Sequence, residues 1–245
     1  MTLDSTRCID RTLLIDADDT LWENNVFYLR CTSRLHAYLE PFGIGAGLAQ
    51  ETLDRIERGT VLELGYGPEG YIAAVVRTAA ALLREVGVEP TPDHLDSARR
   101  IAEPIRRPPM VLLDGVRETL LALRPTSRLI LVTKGDEKTQ LEKLARSGLG
   151  PLFDRKYVIA EKDADVYREI ARELGLDPRC SWMVGNSPKS DINPAVEAGL
   201  GAVYVPHDHT WTAEHAHLAR PDRVTVLSTF ADLLPLFGVP AREPA

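Results

Sequence analysis

Basic residues are in deficit: 29 Lys and Arg stand against 36 Asp and Glu, for a formal net charge of -7. A chain that grips a phosphate backbone carries the opposite excess, so a nucleic-acid partner is not expected. No stretch stays apolar for the ~20 residues that a bilayer-spanning helix needs. The N-terminal MTLDSTRCIDR lacks the apolar centre of a signal peptide. A soluble, cytoplasmic protein with no membrane partner is the expectation. Cysteine is scarce: Cys8, Cys31 and Cys180 make an odd number with no CxxC spacing. That pattern argues against a disulfide scaffold or a zinc knuckle and predicts reduced, structural thiols. Repeats and low-complexity runs are missing as well, and the C-terminal VPAREPA reads as a short frayed tail.

What is present is a globular composition, 44% hydrophobic and 27% charged over 245 residues, enough for a full core and a smaller companion domain. Short β-rich apolar runs occur at Thr12 to Ile15, Leu129 to Val132, Tyr157 to Ala160, Trp182 to Val184, Ala202 to Val205 and Val224 to Leu227. Helical stretches separate most of them from the second onward. Glu137 to Arg146 places Leu141 and Leu144 on one face before Gly148, and Asp165 to Leu174 ends at Gly175. Continuous apolar strands joined by crossover helices predict a doubly wound, mainly parallel α/β sheet.

The interval 22–107 breaks this alternation. It offers only helical candidates, around Phe27 to Leu39, Ala49 to Arg58, Tyr71 to Val86 and His94 to Ile105. Gly65-Tyr66-Gly67-Pro68 and Glu89-Pro90-Thr91-Pro92 divide the last three. The prediction is a core of residues 1–21 and 108–245 with an all-helical second domain inserted after the first strand. Gly65 to Gly70 reads either as a specificity loop or as a plain helix-breaking turn.

Ligands of open α/β sheets sit outside the carboxyl ends of the strands. Asp16, Thr133, Lys162, and Asn186 with Asp191 each follow a different apolar run, so one rim receives carboxylates, a hydroxyl, an ammonium and an amide. In DADDTLW, Asp16 and Asp18 leave a strand two residues apart, and paired carboxylates can divide into an ionised group and a protonatable one. A solvated acidic turn is the bland reading of that pair alone.

Taken together, DADDT, VTKGD, EKD and VGNSPKSD, in that order, resemble the four motifs of the haloacid dehalogenase-like hydrolase superfamily. The resemblance covers nearly all the chain outside the helical interval, which itself resembles a cap domain. It implies a Mg²⁺-dependent phosphatase of the Rossmann-like core acting on a small phosphorylated metabolite. Asp16 would be the nucleophile forming an aspartyl-phosphate, Asp18 the general acid and base, Thr133 and Lys134 phosphate ligands, and Lys162 the charge-neutralising lysine, with Lys156 as its alternative. Mg²⁺ would be held by the side chains of Asp16 and Asp191 and the main-chain carbonyl of Asp18. Phosphomutase, noncatalytic and dehalogenase readings share the same framework; the acid at Asp18 favours phosphoryl chemistry, because a departing halide needs no proton.

Two positions depart from the family pattern. Asn186 stands where an aspartate is usual, and weaker metal affinity is expected there. Asp19 replaces a common glycine and should matter little if it faces solvent. Trp22 is a candidate for leaving-group contact or for packing between domains. His207, His209, His215 and His217 form two H-x-H pairs without cysteine or helical spacing, and read as solvated loop residues. His207 or Trp211, just past Val205, is a candidate to border the pocket.

Overall fold

The computed structural model describes residues 11–240. Six strands form one wholly parallel sheet: β1 (Arg11–Ile15), β2 (Ser127–Lys134), β3 (Arg155–Ile159), β4 (Ser181–Gly185), β5 (Gly201–Tyr204) and β6 (Val224–Val226). Their spatial order is β3-β2-β1-β4-β5-β6, the doubly wound topology that the alternation predicts. Both faces of the central strands are buried, which is why they read as unbroken apolar runs. Leu13, Ile15, Leu129, Leu131, Trp182 and Val184 pack on one side with Val116, Leu120 and Phe237, while Leu14, Ile130, Val132 and Met183 pack on the other with Tyr167, Ile170 and Leu200.

The chain separates into two compact units, one reaching Glu23 and resuming at Met110, the other spanning Asn24–Pro109. The divisions fall two residues beyond the limits read from sequence. Within the helical unit, α1 (Asn25–Leu39), α2 (Ala46–Leu64), α3 (Pro68–Glu85) and α4 (Pro92–Ala102) enclose their own core of Leu35, Leu53, Ile72, Val75 and Leu82. The α/β unit continues with α5 (Val116–Leu123), α6 (Glu137–Ser147), α7 (Ala164–Leu174), α8 (Asn193–Glu197) and α9 (Leu233–Leu236). No helix among the described residues is long and apolar enough to cross a membrane.

Two expectations need correction here. Cys180 is disulfide-bonded, whereas Cys31 is a buried free thiol. Spacing along the chain carried no trace of this bond, because disulfide formation depends on the approach of Cα atoms in space. Cys8 and most of the VPAREPA tail lie outside the described residues. On α6 the buried face is Gln140, Lys143, Leu144 and Ser147, and Leu141 is 41% exposed. The face is rotated so that polar side chains, not a second leucine, turn inward.

The helical unit also holds a carboxyl that titrates late. Burial, reinforced by Asp54 and partly opposed by Arg58, pushes Glu57 from 4.5 up to about 7. A carboxyl whose folded pKa exceeds its unfolded value stabilises the protonated protein. That stabilisation is complete below about pH 4.5 and is lost as pH rises through about 7. The full loss is expected to be roughly 3–4 kcal/mol, from ~1.4 kcal/mol per pKa unit. Chemical denaturation of wild type and Glu57→Gln between these pH values should show the variant gaining on wild type toward neutrality. Parallel curves would rule this out.

Candidate active site

Strands β1 and β4 are neighbours at the point where strand order reverses, and their carboxyl ends build the site. The Asp16 N–H donates to the Val184 carbonyl at 2.9 Å, extending the ladder one step beyond β1 and anchoring Asp16 at the rim. The turn beyond it is tight. Asp19 adopts φ +58°, a left-handed conformation that aspartate tolerates better than bulky residues, and its N–H donates to the Trp22 carbonyl at 2.8 Å. The Asp19 side chain is buried, contrary to the solvent-facing expectation. The hydrogen-bonded turn draws it back toward the fold.

Lys162 joins the two carboxylates expected at the centre. Its Nζ donates to Asp16 Oδ1 at 2.5 Å and to Asp191 Oδ1 at 2.7 Å, and both acids are buried, at 7% and 1% exposed. Lys156 is exposed on β3, so of the two lysines Lys162 is the one brought to Asp16. Burial opposes charge on Lys162, but Asp16 and Asp191 outweigh it and hold the ammonium protonated well above the usual lysine range. Asp191 is pushed up to about 7 by burial, against the pull of Lys162 and with the added repulsion of Asp16. Two buried carboxylates thus share one cation.

The segment after β4 is shaped around Asp191. Pro188–Ile192 form a π-helical turn, a departure often found at functional sites. The Ser187 N–H donates to Asp191 Oδ2 at 3.0 Å, and a Cβ at Gly185 would collide with the Asp191 carboxylate. Glycine is therefore required at that place. An all-oxygen pair of carboxylates short of positive charge suits a hard divalent cation such as Mg²⁺.

Asn186 is held by two threonines. The Thr20 hydroxyl lies 2.9 Å from Asp16 Oδ2 and 3.2 Å from Asn186 Oδ1, and Asn186 Nδ2 donates to Thr210 Oγ1 at 2.8 Å. Thr210 already donates its own hydroxyl proton to the His207 carbonyl at 2.9 Å. Only an acceptor site remains on Thr210, which an amide fills and a carboxylate does not. The asparagine also spares the site a third buried carboxylate.

Asp18 occupies a separate nest. Lys143 Nζ donates to its two oxygens at 2.9 and 2.8 Å, Gln140 Nε2 to Oδ2 at 2.9 Å, and Trp22 Nε1 to Oδ1 at 2.7 Å. Burial raises its pKa, but Lys143 and these hydrogen bonds outweigh that and hold the carboxyl below its ordinary range. Trp22, 1% exposed, is part of the α/β core and supports Asp18 rather than presenting a surface for a leaving group. Its ring is large and apolar while its single N–H is spent on Asp18, which explains the placement. Gln140 and Lys143 were missed from sequence, although with Leu144 and Ser147 they follow the i, i+3, i+4, i+7 spacing of one helix face.

Thr133 is buried near the end of β2, and the register Ile15 with Leu131 carries it level with the chain just beyond Asp16. Lys134 turns elsewhere: its Nζ donates to Glu214 Oε1 at 2.7 Å, Glu161 Oε1 at 3.1 Å and Ser190 Oγ at 3.2 Å. Two carboxylates already neutralise it. Glu214 also accepts from Ser187 Oγ at 2.6 Å and from Ser190, so this acid, unmarked by any motif, braces the turn that carries Asp191. From the segment after β5, Thr210 reaches Asn186.

Residues 11–199 match the family model for haloacid dehalogenase-like hydrolases. Glyceraldehyde 3-phosphate phosphatase of Methanothermobacter thermautotrophicus is 26% identical over 91% of this chain and 97% of its own length. N-acylneuraminate-9-phosphatase of Mus musculus is 33% identical, over 38% of this chain; the match spans only 40% of that protein. Among solved structures, a haloacid dehalogenase-like family hydrolase from Xanthomonas campestris superposes with TM-score 0.78 at 26% identity, covering 94% of this chain and 93% of that one. A magnesium-bound HAD-hydrolase from Bacillus subtilis gives TM-score 0.59 at 22% identity, over 94% of this chain and 99% of that one. The sheet order, the carboxylates gathered at its switch point and the matched segment agree: this chain belongs to the haloacid dehalogenase-like hydrolase family.

Proposed function

We propose that the chain is a Mg²⁺-dependent phosphatase that hydrolyses a small-molecule phosphate monoester through an aspartyl-phosphate on Asp16. The convergence of Asp16 and Asp191 on Lys162, with Asp18 held two residues away among different donors, is the observation that carries this reading. Both named relatives being phosphatases supports it. The groups that would hold Mg²⁺ are the carboxylates of Asp16 and Asp191 and the Asp18 main-chain carbonyl; bound there, the ion offsets the charge of the phosphoryl oxygens.

An Asp16 oxygen attacks phosphorus and the bond to the ester oxygen breaks. Lys162 keeps Asp16 oriented and balances charge, and Thr133 is assigned a hydrogen bond to the transferring group. The leaving alkoxide takes a proton from Asp18. An approaching dianion pushes the Asp18 pKa upward and so favours its taking up that proton beforehand. Afterwards Asp18, again a carboxylate, accepts a proton from water as the water attacks phosphorus, releasing phosphate and restoring Asp16. Lys134, bound to Glu214, acts through the turn beneath Asp191. Choice of substrate is assigned to the helical unit.

A panel of phosphate monoesters, aryl and metabolite, assayed with Mg²⁺ and with chelator tests this directly. Phosphate release should require Mg²⁺, and borohydride should trap the acyl phosphate at Asp16. Absence of turnover across the panel, or transfer of phosphate only between positions of a sugar, would overturn the hydrolase reading. Lys143→Met should lower kcat about 10- to 100-fold while leaving KM within a few-fold. The acid limb of the kcat profile should move to higher pH, because Lys143 is the largest of the influences that lower Asp18. An unmoved acid limb would separate Lys143 from the chemistry.

A further inference from the structure

The segment leaving β5 carries His207 and His209, which the sequence alone assigns to solvent. The fold brings against them a third group, Glu23, the last residue of the α/β unit before the helical one begins. His207 Nε2 lies 3.5 Å and His209 Nδ1 4.0 Å from Glu23 Oε2. The three potential ligand atoms all fall within 4.8 Å of one another, and each residue is partly buried. Glu23 Oε2 is itself shielded from solvent.

We propose that Glu23, His207 and His209 form a site for a divalent transition-metal ion of the zinc class, distinct from the carboxylate centre of Asp16 and Asp191. Two imidazoles and one carboxylate suit zinc and its neighbours, whereas magnesium prefers oxygen donors throughout. Tetrahedral bonds of ~2.0–2.1 Å put donor atoms roughly 3.4 Å apart, so side-chain shifts on the order of 1 Å would close the set. Three protein ligands leave the fourth position to water. The partial exposure of the site, 42% for the His209 side chain and 26% for that of Glu23, gives an ion access from solvent.

A supporting group stands behind one ligand. Asp19 Oδ1 is 3.9 Å from His207 Nδ1, beyond hydrogen-bond distance but placed to accept from that nitrogen after a small shift, as carboxylates do when they orient metal-bound imidazoles. Without an ion, the His209 N–H donates to His207 Nδ1 at 3.2 Å, which leaves the ring proton on Nε2 facing Glu23. Coordination through Nε2 shifts that proton to Nδ1, toward Asp19, with no net release, and the His209 N–H gives up its bond to Nδ1. Because the His207 carbonyl accepts from Thr210 and Thr210 accepts from Asn186, an ion here also steadies the wall beside Asp16.

Calorimetric titration of the full chain with zinc chloride, in excess Mg²⁺ to saturate the carboxylate centre, should show one equivalent bound. His209→Ala and Glu23→Gln should each weaken binding at least roughly tenfold, and His217→Ala, whose side chain is exposed, should not. Co²⁺ in place of zinc should give the strong visible absorption of a four-coordinate ion in wild type and lose it in His209→Ala. Glu23→Gln keeps the side-chain shape and carries the test if His209→Ala fails to fold. The proposal is overturned if no zinc binds under these conditions, or if Asp191→Asn removes binding that both substitutions leave intact. Neither result bears on phosphatase activity, so the two readings stand or fall separately.

Discussion

Asp16→Asn is expected to erase phosphate-ester turnover, with kcat falling on the order of 10⁴-fold or more, while the metal-free protein becomes more stable. The first effect follows from the nucleophile: an amide oxygen is neutral and cannot form the acyl phosphate. The second follows from charge. Asp16 and Asp191 both lean on Lys162 in a buried place, and the repulsion of Asp16 is one reason Asp191 is pushed up to about 7. Removing one negative charge relieves that strain. Each ~1 kcal/mol gained should appear as a rise of about 2–4 °C in Tm for a chain of this size. Mg²⁺ should reverse the order, because the ion stabilises wild type by mass action and finds one fewer ligand in the variant. Initial rates and thermal unfolding with and without Mg²⁺ check both halves. A variant retaining more than about a hundredth of wild-type kcat would place the nucleophile elsewhere.

The same residues show why some of this was readable in advance. Asp16, Lys162 and Asp191 each follow a strand visible as an unbroken apolar run, and parallel topology sends all such strand ends to one rim. Helices α1 and α4 begin two residues, and α3 three residues, before the expected positions, and the breaker runs end on the first prolines of α3 and α4. Helix α2 runs on to Leu64, past Gly59, because an isolated glycine is tolerated where the surrounding helix is packed. Helix α5 carried no strand-to-strand context that marked it out. The site's supporting side chains were invisible for a different reason. Periodicity shows which residues of α6 share a face, not which distant group that face meets. Gln140 and Lys143 meet Asp18 across more than a hundred residues of chain, and Thr210 and Glu214 reach the turn after β4 from a loop without motif. Glu23 acquires its histidines in the same way.

Lys162→Met is the substitution with the largest expected cost to the fold. The Lys162 side chain is only 2% exposed, and it is bonded to both buried carboxylates. Methionine fills similar space but leaves two acids facing one another without the ammonium. Breaking a buried ion pair from one side costs about 3–5 kcal/mol, which corresponds to a fall in Tm on the order of 10 °C. Saturating Mg²⁺ should recover part of this loss by restoring positive charge, without recovering kcat. That should stay down about 10²- to 10⁴-fold, since Asp16 also loses the group that orients it. The double variant Asp16→Asn with Lys162→Met makes the electrostatic account specific, because removing a carboxylate along with the cation should make it more stable than Lys162→Met alone. The coupling of ~1–3 kcal/mol expected between contacting charges is measurable by denaturant unfolding of the four proteins in the cycle. Additive effects would mean that Lys162 serves the fold through packing and not through its charge, and would remove the reason for placing a cation between Asp16 and Asp191.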